Sequence, residues 1–165
     1  MMEKDTLYKT SSLPFLVNFI KEHEMTSSLA DNVAPRFQKL SLTDKVVIRG
    51  KRVYLAHPYS GKKDNILETS LIANCMAKFG VVDCSVISPL HNFVWCEYHE
   101  KGTEEYIKEL AECLMLLQVC DVLIVSGDWR ESFGCSIEVL LADLYGMPIY
   151  EIDRNAISRL ESFEK

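Results

Sequence analysis

Two stretches of this chain combine residue types that can do chemistry, and each follows a short apolar run. In SGDWRESFGCSIE (126–138), Ser132 and Gly134 fall at the expected start of a helix, and Glu138 lies one turn further in. A hydroxyl, a glycine and backbone N–H groups without helical partners suit an anion such as phosphate. Glu138 stands among Ile137, Val139 and Leu140, and two readings of it are open. A carboxylate kept in apolar surroundings at a sheet edge needs compensation and is retained for chemistry. An exposed acid near a helix start is simply favoured by the helix dipole. The other stretch, HPYSGKKD (57–64), carries Ser60, Gly61, Lys62 and Lys63 between a strand and a helix. It reads either as a phosphate cradle or as a solvated turn, and it matches neither GxGxxG nor GxxxxGK[ST].

These stretches need a frame to bring them together. Residues 52–56 (RVYLA), 81–87, 122–125 and 148–152 read as strands, the runs being almost continuously apolar. Residues 65–79, 104–119 and 132 to about 145 have helical spacing, and Gly80 and Gly146 supply stops. Between them, 90–102 is irregular and carries two histidines. Alternation of strand and helix predicts right-handed crossovers. The expected fold is a Rossmann-like α/β domain, with about four to five parallel strands and helices on both faces. Ligands of such sheets sit beyond the carboxyl ends of the strands, which selects the loops 57–64, 88–102 and 126–134. This domain is assigned to residues 51–165. Residues 1–50 read as an N-terminal helical extension that packs on the domain or forms oligomers. Within it lie an amphipathic helix over Leu13–His23, capped by Ser11 or Ser12 with Pro14 near its start, a polar connector over 26–39 and a short strand over 45–48.

Composition removes several classes of function. The 165 residues are 48% hydrophobic and 25% charged, as in a globular protein of one ordinary domain. No apolar run approaches the roughly 18 residues of a membrane span, and MMEKDTLYKTSS is unlike a signal peptide, so a cytoplasmic location and no membrane partner are expected. The net charge of -6, with no Lys/Arg block longer than two, lacks the basic footprint of nucleic-acid binding. The six cysteines form no CxxC pair and the four histidines are scattered, so free thiols and no metal site are expected.

The segments VYLAHPYSG, SPLH and CDVLIVSGDWRESFGCSIEVLLADLYGMPIYEI resemble the nucleoside 2-deoxyribosyltransferase-like superfamily, which includes nucleoside 5′-monophosphate N-glycosidases. The resemblance spans about residues 52–153, and its most specific part is Ser132-x-Gly134-x-x-x-Glu138 directly after an apolar strand. It implies that Glu138 is a nucleophile attacking C1′ of a ribose or deoxyribose. The glycosyl ester so formed splits one hard step into two. It further implies that Tyr54 lies near the nucleophile, that Ser132 and Gly134 hold a 5′-phosphate, and that His57, Ser60, Gly61, Asp128 and Trp129 line the substrate site; for Trp129 stacking on a base and a packing role are both open. The partners implied are a small nucleoside or nucleotide and, as in other members, further copies of the chain as a homodimer or larger homo-oligomer. No cofactor is implied.

One position departs from the family pattern. The Asp that protonates the leaving base commonly stands eight residues before the Asp at the strand entry, here Asp121, and that position is Cys113. Glu112 is adjacent, but a neighbouring helical residue points about 100° away. Glu112, His91, Glu97 and His99 are the alternative acids. Ser132, Lys62 and Lys63 favour a charged 5′-phosphate, so the expected activity is hydrolysis of the base–sugar bond of a (deoxy)nucleoside 5′-monophosphate. Deoxyribosyl transfer, a catalytically weak nucleotide-binding module and an interaction protein are the alternatives.

Overall fold

The computed structural model describes residues 11–24, 29–40, 48–59, 62–78, 82–92 and 99–152. Its centre is a five-stranded, all-parallel sheet in the order β1–β5–β4–β2–β3, built from β1 (Gln38–Leu40), β2 (Ile48–Ala56), β3 (Val82–Ile87), β4 (Val122–Val125) and β5 (Ile149–Ile152). The alternation of β4, VLIV, is invisible in its sequence because all four side chains are buried, as a central parallel strand requires. The predicted Rossmann-like α/β class is the one observed.

Helices cover both faces. On one, α3 (Lys63–Lys78) sets Ile72, Cys75 and Met76 against Val53, Leu55, Val122 and Ile124. On the other, α1 (Leu13–His23), α5 (Glu104–Gln118) and α6 (Phe133–Leu144) pack on Tyr54, Ala56, Leu123 and Val125. The strand period of two divides neighbours on β2 between these faces, so Tyr54 looks toward α6 while Val53 and Leu55 look toward α3. Caps fix the helix starts: Ser12 accepts the Phe15 N–H of α1 at 3.4 Å and Thr103 accepts the Tyr106 N–H of α5 at 3.2 Å. Asp121 holds the entry to β4, its carboxylate taking the Arg52 N–H at 2.8 Å and both arms of the Arg52 guanidinium at 3.2 Å. Among the described residues no helix is long and apolar enough to cross a membrane.

The stretch 26–39 is not a plain connector. It carries the short helix α2 (Leu29–Val33), a 3-10 turn (Ala34–Arg36) and the start of β1, and it buries Ala30, Val33 and Phe37. Of the strand expected at 45–48, Ile48 opens β2 and the other three residues lie outside the described ones. β1 pairs with β5, Gln38 opposite Tyr150, so the N-terminal segment supplies an edge strand to the main sheet. Arg36 pairs with Asp143 of α6 at 3.0 Å, and Lys39 binds Glu151 of β5.

The order of the strands decides where a ligand can sit. From β2 the chain moves outward to β3, then returns past β2 to β4 and on to β5. The direction of winding therefore reverses between β2 and β4, and the crevice beyond their carboxyl ends is the binding position of such sheets.

Candidate active site

At this reversal point a carboxylate and a phenol meet. Glu138 lies on the inner face of α6 and is 6% exposed, so the structure selects the buried reading of this residue over the exposed one. Tyr54, fully buried on β2, donates its O–H to Oε1 of Glu138 at 2.5 Å. Burial pushes the Glu138 carboxyl up to about 7, against the hydrogen bond from Tyr54, which favours the charged form. Tyr54 is raised well above the usual phenol range, first by burial and then by the charge of Glu138 beneath it. A hydrogen bond to Oε1 leaves Oε2 as the oxygen for a ligand.

The helix start beside this pair is built by its own sequence. Ser132 has extended backbone angles and its Oγ accepts the Cys135 N–H at 3.3 Å, opening α6. Gly134 sits close to α5: a Cβ there would meet Tyr106 Oη at 3.5 Å and Leu110 at 3.7 Å, ordinary contact distances. Phe133 is flanked by the ring of Tyr106, 6.3 Å between centroids, and by Lys101 Nζ, 4.4 Å from its centre. Asp128 is exposed at the mouth of the same loop.

Cys113, half-buried on α5, packs against this core. Its charge would raise both Tyr54 and Cys135. Burial pushes the Cys135 thiol well up, and Glu138 adds to the shift. Glu112 is half-buried on α5, and no hydrogen bond or ion pair joins it to Glu138 among the described residues. Two of the other alternative acids, His91 and His99, are engaged elsewhere. His91, on the short helix α4 (Pro89–Asn92), bonds Ser70 Oγ at 2.7 Å and Ser88 Oγ at 2.9 Å, and His99 bonds Glu109 at 2.7 Å. Glu97, Ser60 and Gly61 lie outside the described residues.

Two expected ligand contacts take other roles. Trp129 is fully buried, stacks near Phe37 with centroids 5.5 Å apart and donates its indole N–H to Glu151 Oε1 at 2.9 Å. A ring enclosed on this scale cannot also stack on a base, so Trp129 belongs to the core. His57 has a 2% exposed side chain with both ring nitrogens engaged: Nδ1 lies 2.9 Å from Ser126 Oγ and Nε2 lies 3.2 Å from Glu68 Oε2. Burial lowers its pKa, against the raising influence of Glu68 and Asp128. The Ser126 hydroxyl donates its proton to the Ala56 carbonyl at 3.2 Å, so Ser126 links the His57 ring to the end of β2. His57 thus ties α3 and the loop after β4 together from the α3 face. Gly127 completes the tie: at φ +64 its ideal Cβ would lie 2.6 Å from His57 Cε1, so only glycine fits.

Residues that sequence reasoning missed form a second brace on the same loop. Glu151, 8% exposed, binds Trp129, Arg130 Nη1 at 2.7 Å and Lys39. Burial alone would raise it, but the bonds from Arg130, Lys39 and Trp129 bring it down to about 2. Arg130 also lies over the Trp129 ring at 4.5 Å and 3.8 Å from Asp31. The available signal was an acid inside the strand IYEI, on the same face as Ile149. The loop leading to Ser132 and Glu138 is therefore held from both sides of the sheet, by His57 and by Glu151. Among the described residues no three His, Cys, Asp or Glu side chains converge as metal ligands. Comparisons with known protein families, with curated protein sequences and with solved structures find no match to this chain.

Proposed function

We propose that the protein is an N-glycosidase that cleaves the base–sugar bond of a (deoxy)nucleoside 5′-monophosphate, with Glu138 as nucleophile. The observation that carries this reading is the buried Glu138–Tyr54 pair at the sheet's reversal point, one and a half turns from a capped helix start. Glu138 Oε2 attacks C1′, the C1′–N bond breaks through an oxocarbenium-like state, and a glycosyl ester forms. Water then adds to C1′, the ester C–O bond breaks and the carboxylate returns. Tyr54 orients the carboxylate through Oε1. The phosphate is received by the α6 start, where Ser132 contributes its hydroxyl and Gly134 leaves the backbone accessible. Asp128, exposed on the loop after β4, borders the sugar; carboxylate chemistry of this kind requires no cofactor.

Deoxyribosyl transfer to a second base is the same chemistry with a different acceptor. A catalytically weak nucleotide-binding module is the second reading, favoured by Cys113 at the acid position, since general-acid help is typically worth about 10²–10⁴-fold. The protein is proposed to act in the cytoplasm as a homodimer or larger homo-oligomer. The exposed Leu13 and Phe15 of α1 and Met115 and Val119 at the end of α5 are its apolar contact surface. The test is chromatographic: nucleosides and ribo- and deoxyribonucleoside 5′-monophosphates are incubated with wild type and with Glu138→Gln. Free base from wild type alone supports the glycosidase. Tight binding in calorimetry without base release supports the binding module and refutes the enzyme.

A further inference from the structure

We propose that the preferred substrates of the Glu138 site are N-glycosides whose base already carries a positive charge, a pyridinium or an N7-alkylated purine on a ribose 5′-phosphate. This rests on the glycosidic reading above and narrows its substrate class. Two features of the site lead to it.

The first is what surrounds the leaving base. A neutral base departs as an anion unless a positioned acid gives it a proton. Among the described residues Glu138 is bonded by Tyr54 alone, and Tyr54 is acted on by Glu138 and by the thiols of Cys113 and Cys135. The Tyr54 proton is committed to Glu138, and burial makes Cys135 a poor donor. A cationic base needs no such proton. Its C1′–N electron pair moves onto the ring nitrogen and cancels the charge, giving a neutral leaving group.

The second is charge balance around the nucleophile. Buried carboxylates are normally met by a cation or by several donors. Glu151, in the same protein, has an arginine, a lysine and an indole N–H. Glu138 has one neutral phenol, and among the described residues no Lys, Arg or His pairs with it. A ligand bringing positive charge to C1′ supplies the missing counter-charge and favours the ionised nucleophile. The reaction balances as follows: Glu138 Oε2 bonds to C1′ as the neutral base leaves. Water oxygen then bonds to C1′ as the ester C–O bond breaks, and one proton passes to solvent. Hydrolysis of a neutral base releases no net proton.

The experiment uses the full chain with nicotinamide mononucleotide, 7-methylguanosine 5′-monophosphate, GMP, AMP, CMP and UMP, read by base release and by pH-stat. Expected are release of nicotinamide and 7-methylguanine, with one proton per turnover and a rate that rises with pH and then stays level for nicotinamide mononucleotide. Because alkylated guanine also leaves faster in water, Cys113→Asp supplies the discriminating comparison: a restored acid raises kcat/KM for GMP by at least about 10-fold more than for 7-methylguanosine monophosphate. Turnover of the neutral monophosphates as fast as the cationic ones overturns the inference and keeps the glycosidase. An alkaline falling limb with wild type and nicotinamide mononucleotide, whose pyridinium ring has no proton to lose, reveals an essential acid and also overturns it, whether or not the variant folds. Base release from no substrate overturns both readings.

Discussion

Replacing Glu138 by Gln is expected to stabilise the fold, and only at pH values where the carboxylate would be charged. The side chain is buried and its carboxyl is pushed up to about 7 from an ordinary 4.5. Between those values the unfolded chain releases the proton while the folded chain keeps it, so wild-type stability falls as pH rises through this window. Below about 4.5 both states are protonated and nothing is lost; above about 7 the loss is complete. At 1.36 kcal/mol per unit the full loss is about 3 kcal/mol, most of which accrues between pH 5 and pH 8. Gln keeps the shape and an oxygen for the Tyr54 hydroxyl but cannot ionise. Urea unfolding of both proteins at pH 5 and pH 8 isolates this term, because all other titrating groups are common to both. The variant should gain about 2 kcal/mol relative to wild type over that interval. A difference that stays within 0.5 kcal/mol at both pH values, on the order of ordinary extrapolation scatter, would refute the burial argument.

The remaining predictions concern the supports of the site. Tyr54→Phe removes the one donor that favours the charged carboxylate. Glu138 should then move about 1–2 units above its present value, since such bonds are worth roughly 1.5–3 kcal/mol, and the acidic limb of base release should move up in pH with it. Gly127→Ala must hold φ +64 with a Cβ against the His57 ring, and should destabilise by at least about 1–2 kcal/mol in urea titrations. Glu151→Gln should be less stable than wild type by about 2 kcal/mol at neutral pH. The carboxylate's contribution is present above its unfolded value of 4.5 and is lost as pH falls toward about 2, so the deficit should shrink in unfolding measurements at pH 3.

Periodicity and punctuation made much of this fold legible. α1, α5 and α6 follow their apolar stripes and end near Glu24, Val119 and Tyr145, and β4 stands out as an unbroken apolar run. The 26–39 stretch was opaque for a physical reason: a five-residue helix and a three-residue edge strand are too short to show a period, and their stability comes from packing on α6 and β5. The spacing from Ser132 to Glu138 and the position of Tyr54 could be read from the chain and come together in space. The roles of His57 and Trp129 could not. A polar aromatic after a strand looks the same whether it faces a ligand or is enclosed, and the partners that enclose these two, Glu68, Ser126 and Glu151, are distant in sequence or on other elements.

The central claim is that Glu138 itself bonds to the sugar. Acid-quenched reactions with a substrate that releases base, analysed by peptide mass mapping, should show a ribosyl phosphate ester on Glu138, absent from Glu138→Gln along with base release. Base release that persists in Glu138→Gln, or an ester found on another residue, would contradict the account.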